Sequence, residues 1–149
     1  MTLAITLEAK PYEYQVEIPG YGLFTVRRLG AGTQADLADK MRAAEKAQKK
    51  VERDFAEIVE KEKRLVAENA TEELATLRTS EEYKKAEKAQ KKVSSLLQDT
   101  INCINRAELA LWSSDDPKAL EKLMTELTIE QIRELYGKAM EIADGKEAE

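Results

Sequence analysis

The sequence predicts a mainly helical α+β fold, in which an N-terminal β-hairpin or three-stranded meander precedes a long-helix antiparallel bundle with two short C-terminal helices. Three observations lead to this prediction. Residues 1–32 show the two-residue alternation of strands and hold four of the six glycines. Residues 33–111 place apolar side chains at alternating spacings of three and four. Ala, Glu, Lys, Leu and Arg make up more than half of the chain, as is typical of long helices.

The predicted β element occupies residues 1–32, and the helical body occupies 33–149 within a single domain overall. Strands are predicted over 12–18 and 23–29 because apolar and polar residues alternate there, and 2–8 is a candidate third strand. The segment between the two strands, Pro19-Gly20-Tyr21-Gly22, is typical of a turn. So small a sheet is unstable alone, so we expect a helix against its apolar face.

The first long helix is predicted from an N-cap at Thr33 to about Ala70. Its heptad positions form a first seam, with two polar members: Leu37, Met41, Ala44, Gln48, Val51, Phe55, Ile58, Glu62 and Leu65. Residues 71–78 are either a short helix, with Leu74 and Leu77 facing inward, or a continuation of the first helix.

The second long helix is predicted to begin at Thr79, where Thr79-Ser80-Glu81-Glu82 fits a capping box. Its heptad positions form a second seam: Tyr83, Ala86, Gln90, Val93, Leu97, Thr100, Ile104, Ala107 and Leu111. One octapeptide, AEKAQKKV, occurs in both helices, at 44–51 and 86–93, in the same register relative to the seams. The two helices are expected to form an antiparallel hairpin or a longer coiled-coil stalk, and self-association through them predicts a homo-oligomer.

Two short helices are predicted near the C-terminus. Asp116 is the expected N-cap of the first, with Pro117 at its first helical position. Thr128 and Gln131 form the expected capping box of the second. Trp112 is expected to anchor the core where these helices fold back. Residues 144–149 are expected to be a frayed polar end.

The composition excludes several classes of enzyme and metal site. The chain has no histidine and a single cysteine, Cys103, so it lacks His-based acid–base catalysis, His metal ligands, an internal disulfide and any Cys-x-x-Cys motif. The Gly30-x-Gly32 pair lacks the βαβ context of a dinucleotide site. The sequence therefore predicts no catalytic residue, no metal ligand and no cofactor, and we do not expect an enzyme.

The charge distribution favours protein partners. The net charge is −5, and residues 113–149 contain ten acidic and five basic residues. The lysine clusters of the octapeptides are interleaved with acids, so no uniform basic surface is available for nucleic acid or an anionic membrane. No apolar stretch reaches the length of a membrane span and the N-terminus does not resemble a signal peptide, so a cytoplasmic location is expected.

Arg27 and Arg28 are the candidate partner-binding residues. Alternation along the second predicted strand places them on opposite faces of the sheet. Either could bind a partner or the chain's own acids. The alternative is that they are edge-strand charges that discourage sheet aggregation.

The segment YQVEIPGYGLFTVRRL (14–29), followed by Gly30-Ala31-Gly32 and a helical body, resembles the tail assembly chaperones of siphophages and prophages. The resemblance is sequence-like over about residues 12–40 and architectural over most of the remainder. It implies a protein that coats the tape measure protein and recruits tail tube subunits in the host bacterial cytoplasm, without entering the finished virion. Its binding residues are not defined by a motif, so none is transferred.

Members of that family are commonly made in two lengths, the longer by a programmed ribosomal frameshift. The resemblance therefore implies an overlapping −1 reading frame near the end of the gene. The alternative function, which the residues alone support, is a generic coiled-coil scaffold.

Overall fold

A computed structural model describes residues 11–145 of the chain. The elements, in chain order, are β1 (Glu13–Ile18), β2 (Gly22–Arg27), α1 (Ala31–Asp54), α2 (Ala56–Ala67), α3 (Thr71–Thr79), α4 (Glu81–Leu109), β3 (Trp112–Ser113), α5 (Pro117–Glu126) and α6 (Ile129–Ala143). The predicted mainly helical α+β fold is confirmed. None of these helices is both long and apolar enough to span a bilayer, among the residues described.

The chain divides into two compact units. The first, here called the sheet unit, combines Met1–Ala31 with Asn105–Glu149, and the second, the hairpin unit, is Gly32–Ile104. One boundary lies beside the predicted division at residue 32. The other lies inside α4, where the uninterrupted helical pattern of the sequence contains no signal for it.

The predicted hairpin of β1 and β2 is confirmed. The strands are antiparallel, with Ile18 opposite Gly22, and the backbone N–H of Tyr21 donates to the carbonyl of Ile18 across the turn at 3.0 Å. Gly20 and Gly22 have φ values of +87° and +124°, which residues other than glycine rarely adopt. The glycines of this turn are therefore required by its backbone conformation.

The third strand is β3, which the sequence did not predict. It pairs with β2, placing Thr25 opposite Ser113 and Val26 opposite Trp112. A strand of two residues is too short to show alternation, which explains why the pattern missed it. The predicted third strand, 2–8, lies outside the described residues.

The sheet unit has a continuous hydrophobic core. Trp112 is 4% exposed and packs edge-on against Phe24, with ring centroids 6.4 Å apart, which confirms its predicted role as a core anchor. The buried hydrophobic residues come from the sheet, the turn after α4 and both short helices: Ile18, Phe24, Val26, Leu111, Trp112, Leu123, Ile132, Ala139 and Met140.

Both predicted caps of the short helices are present. The Asp116 side chain accepts a hydrogen bond from the backbone N–H of Lys118 at 3.0 Å, and Pro117 begins α5. Thr128 and Gln131 form the capping box of α6. The expected fraying does not extend to Asp144, which is ion-paired, and residues 146–149 lie outside the described chain.

Within the hairpin unit, α1 and α4 are antiparallel. Lys40 Nζ lies 3.6 Å from Cys103 Sγ and the Gln48 side chain lies 3.4 Å from that of Gln90, while Glu62 of α2 contacts Arg78 of α3. The contacts join increasing residue numbers in α1 to decreasing residue numbers in α4. The predicted antiparallel hairpin is therefore confirmed. Both predicted seams face inward, because every member is buried or half-buried except the exposed Gln90.

The two octapeptides pack against each other in this hairpin. Gln48 and Gln90 occupy the same position in the two copies, and their side chains are hydrogen-bonded. Since α1 and α4 are antiparallel, the identical segments 44–51 and 86–93 are related by an approximate local twofold axis. The repeated sequence therefore forms one side-by-side contact with itself.

The first long helix differs from its prediction at both ends and in the middle. The helix begins at Ala31, because Gly32 adopts a right-handed conformation, so Thr33 lies in the first turn and is not the N-cap. It breaks at Phe55, whose φ and ψ are −117° and 19°. α2 then ends at Ala67, and Asn69 has a left-handed φ of 53°.

The start of the second long helix also needs correction. Thr79 ends α3, and its hydroxyl donates to the carbonyls of Ala75 and Thr76. Ser80 takes the capping position instead, because its Oγ accepts from the backbone N–H of Tyr83 at 3.2 Å. α3 is thus the short separate helix that the sequence left open, with Leu77 buried.

Candidate functional site

Arg28, one of the two predicted partner-binding residues, is bound within the sheet unit. Its Nη2 donates to Asp144 Oδ1 at 2.7 Å and to the Tyr14 hydroxyl at 2.9 Å, and its guanidinium lies over the Tyr14 ring. The hydrogen bond with Tyr14 and the Asp144 carboxylate raise the pKa of Arg28. The side chain thus ties the strand end to the end of α6.

Arg27 contacts a different part of the sheet unit. Its Nη2 donates to the carbonyl of Ala110 at 2.6 Å, and its backbone N–H donates to Leu111 at 2.8 Å. Both arginines therefore form contacts within their own unit. Binding of a partner by either residue stays a prediction.

A small cavity of about 90 Å³ also lies in the sheet unit. Trp112 and Tyr136 line it, and the Arg133–Glu108 ion pair, at 2.6 Å, lies beside them. The Glu108 carboxylate raises the pKa of Arg133. The Tyr136 hydroxyl accepts from the backbone N–H of Leu29 at 2.9 Å, so its oxygen is already used in holding the strand end. The Trp112 indole N–H is buried without a hydrogen-bond partner among the described residues. A volume of about 90 Å³ is nevertheless well below that of a typical ligand pocket, so we interpret this cavity as a packing gap beside the core.

An apolar groove in the hairpin unit is the stronger candidate. It runs between the α1–α2 junction and the first half of α4 and has a volume of about 240 Å³. Ten residues line this junction groove: Val51, Glu52, Phe55, Ile58, Val59, Glu62, Tyr83, Ala86, Glu87 and Gln90.

The groove lies where the first long helix breaks. Phe55 leaves helical geometry, although its N–H still donates to Val51 and its carbonyl still accepts from Val59, both at 3.1 Å. The groove opens between this distorted position and α4. Val59, on the groove wall, is 45% exposed.

A polar cluster lies at one end of the groove. The Arg78 Nε donates to Glu62 Oε2 at 3.4 Å, and Tyr83 lines the groove beside them. A hydrogen bond to the Glu62 carboxylate, followed by burial, raises the pKa of Tyr83. Glu62 is a polar member of the first seam, and its carboxylate is accommodated there by Arg78 and Tyr83.

The junction groove was not predicted. The predicted seams include Phe55, Ile58 and Tyr83, and these residues are half-buried as expected. The spacing of apolar residues nevertheless continues through Phe55, and no glycine or proline marks the break in the helix. One feature of the sequence could have indicated the groove: three polar seam members lie in or near it, namely Gln48, Glu62 and Gln90.

Among residues 11–145, no group of three or more acidic or cysteine side chains is arranged to hold a metal ion. Comparison of the chain with protein-family models, curated proteins and solved structures gives no match.

Proposed function

We propose that the protein is a helical interaction protein that acts as a phage tail assembly chaperone: it binds the tape measure protein and recruits tail tube subunits in the host bacterial cytoplasm. The supporting observation is the antiparallel hairpin, which presents an apolar groove of the kind that binds amphipathic helices. The resemblance over residues 12–40 supplies the identity of the partners. The protein has no cofactor, no enzymatic role and no nucleic-acid or membrane partner in this proposal.

The second candidate is a coiled-coil scaffold that assembles with copies of itself. The self-contact of the two octapeptides favours it, because an interface between identical segments can form equally well between chains. The two candidates differ in whether the principal partner is another protein or a second copy.

The direct test is co-expression with the tape measure protein encoded beside this gene, followed by affinity purification of this chain. We expect the two proteins to purify together at physiological salt, and we expect no retention of duplex DNA because the helical body has 26 acidic residues against 21 basic ones. Tight DNA binding with no protein partner would contradict the proposal.

The gene locus offers an independent test. We expect a tail tube gene upstream, a long helical tape measure gene downstream and an overlapping −1 frame extending past the codon for Glu149. Absence of both the tail genes and the overlapping frame would instead favour the scaffold.

A further inference from the structure

We propose that the junction groove binds an amphipathic helix of a different polypeptide, which inserts a large apolar side chain beside Phe55 and places lysine or arginine residues along the groove edges. This inference builds on the proposed function, because it names the surface and the kind of segment through which a helical partner would bind. Three features of the described residues support it: apolar shape, charge and the direction of the exposed stripe.

The shape fits one or two apolar side chains of a docked helix. Val51, Phe55, Ile58 and Ala86 provide the apolar wall, and the groove volume of about 240 Å³ is smaller than that of a typical drug-sized ligand pocket. A site of this size with an open mouth is typical of an anchor position in a protein interface. A small-molecule substrate would find few polar groups to orient it.

The exposed apolar residues of α2 extend the groove into a stripe. Val59 and Val66 are 45% and 51% exposed and are separated by seven residues, so they lie on the same side of the helix, two turns apart. A helix bound along this side would contact both valines. The stripe therefore indicates an elongated partner lying beside α2 and reaching beyond the groove.

The charge of the groove selects the partner. Three of the ten lining residues are glutamates, and none is basic. Glu62 is already paired with Arg78 at 3.4 Å, so the charge available to a partner is that of the other two, Glu52 and Glu87. Glu52 accepts a hydrogen bond from neutral Gln48, and no lysine or arginine of residues 11–145 forms an ion pair with it. Glu87 pairs with Lys91 at 3.2 Å, but that exposed pair contributes little and a partner's cation can replace it. Basic flanking residues on the partner are therefore favoured.

The same argument disfavours a second copy as the occupant. The chain has a net charge of −5, so the groove of one copy and the surface of another repel on average. Partners rich in lysine and arginine have no such penalty. A second copy in the groove is nevertheless a distinct outcome of the test described below.

The experiment uses the full chain and synthetic helical peptides of three heptads. The probes carry Leu or Phe at the heptad core positions and Lys at the flanking positions, and comparison peptides have Glu at the same flanking positions. Binding is measured by fluorescence anisotropy at low and physiological salt. We expect a lysine-flanked peptide to bind at least tenfold more tightly than its glutamate-flanked counterpart.

The matched variants are Val59→Asp and Ile101→Asp. Each replaces an exposed apolar residue of the hairpin unit, and each adds one negative charge, but Ile101 does not line the groove. We expect Val59→Asp to weaken peptide binding at least tenfold, although its added charge should attract a basic peptide, and Ile101→Asp to change binding less than twofold. Circular dichroism checks that both variants keep the wild-type helix content.

Methyl NMR of the wild-type protein locates the bound peptide directly. We expect shifts at Val51, Ile58 and Val59 on peptide addition, and none at Leu123 or Ile132 in the core of the sheet unit. Shifts confined to other residues, equal binding of both peptide charges, or no binding of any lysine-flanked peptide would overturn the proposal. Self-association would overturn it as well, if the chain alone forms an oligomer that Val59→Asp converts to monomers and Ile101→Asp does not. That result would mean that a second copy fills the groove.

The two proposals can fail separately. If the Val59→Asp variant still co-purifies with the tape measure protein, the partner does not bind in the groove, and the chaperone function is retained. If basic helices bind the groove but the tape measure protein does not co-purify with the wild-type chain, the chaperone function fails and the groove assignment stands.

Discussion

Arg28 joins Tyr14 near the start of the described chain to Asp144 near its end, which is the contact with the chain's own acids that the sequence left open. Both members of the Arg28–Asp144 pair keep only about a quarter of their side-chain surface exposed, at 27% and 26%. Ion pairs that are partly shielded and bonded to a third group hold their geometry better than exposed pairs. The positive charge of Arg28 thus joins the end of β2 to the end of α6.

We expect a double-mutant cycle of Arg28→Ala and Asp144→Ala to give a coupling free energy of about 1 kcal/mol in urea unfolding. The coupling should fall at 1 M salt because the pair is not fully buried. The matched control is the Lys122–Glu126 pair, which is 4.0 Å apart and about half exposed, and should give a smaller coupling. Equal couplings for the two pairs would contradict the role assigned to Arg28.

Tyr83 makes the free energy of unfolding of the hairpin unit depend on pH in the alkaline range. The neighbouring Glu62 raises the pKa of Tyr83 above the unfolded value of 10.0, so the unfolded chain loses this proton first. The stabilisation is complete below the unfolded pKa and is lost as pH rises through the folded pKa. We expect the free energy of unfolding to fall less steeply above about pH 10 in Tyr83→Phe than in the wild type. Tyr12→Phe, at a tyrosine 58% exposed, is the control for loss of a phenol.

At the scale of the elements, heptad spacing predicted the helices and their inward faces, because packing against a neighbouring helix requires apolar residues every three to four positions. The break at Phe55 was not predictable in this way, since the spacing there is uninterrupted. β3 was missed because two residues cannot show alternation, and its position depends on pairing with a strand more than eighty residues earlier. Local pattern therefore predicted the elements, while contacts distant in sequence determine the groove and the third strand.

Neighbouring residues of α2 test the inward face of the first seam. Leu65 is 1% exposed and Val66 is 51% exposed. We expect Leu65→Ala to lower the free energy of unfolding by about 3 kcal/mol, since it removes buried methyl groups and leaves a cavity. Val66→Ala should change it by about 0.5 kcal/mol or less. Similar losses from both substitutions, measured by urea unfolding, would mean that the seam has the wrong register.

At the scale of the whole molecule, the two units differ in how much apolar surface they bury. Among the described residues, nine buried hydrophobic residues form the core of the sheet unit, whereas the hairpin unit has four: Ala44, Leu65, Leu77 and Val93. Burial of apolar surface is the main stabilising contribution to folding. The hairpin unit is therefore expected to open at a lower free energy, as interaction surfaces often do.

The single tryptophan, Trp112, allows this difference to be measured, because it lies in the core of the sheet unit while most of the helix signal comes from α1 to α4. We expect far-UV circular dichroism to begin its unfolding transition at a lower urea concentration than tryptophan fluorescence. Peptides bound in the junction groove should shift the dichroism transition upward by mass action and leave the fluorescence transition nearly unchanged. If the two transitions coincide, with and without peptide, the two units unfold together. The smaller core of the hairpin unit then does not lower its stability relative to the sheet unit. If raising the protein concentration alone shifts the dichroism transition as much as peptide does, self-association stabilises the hairpin, as the scaffold alternative requires.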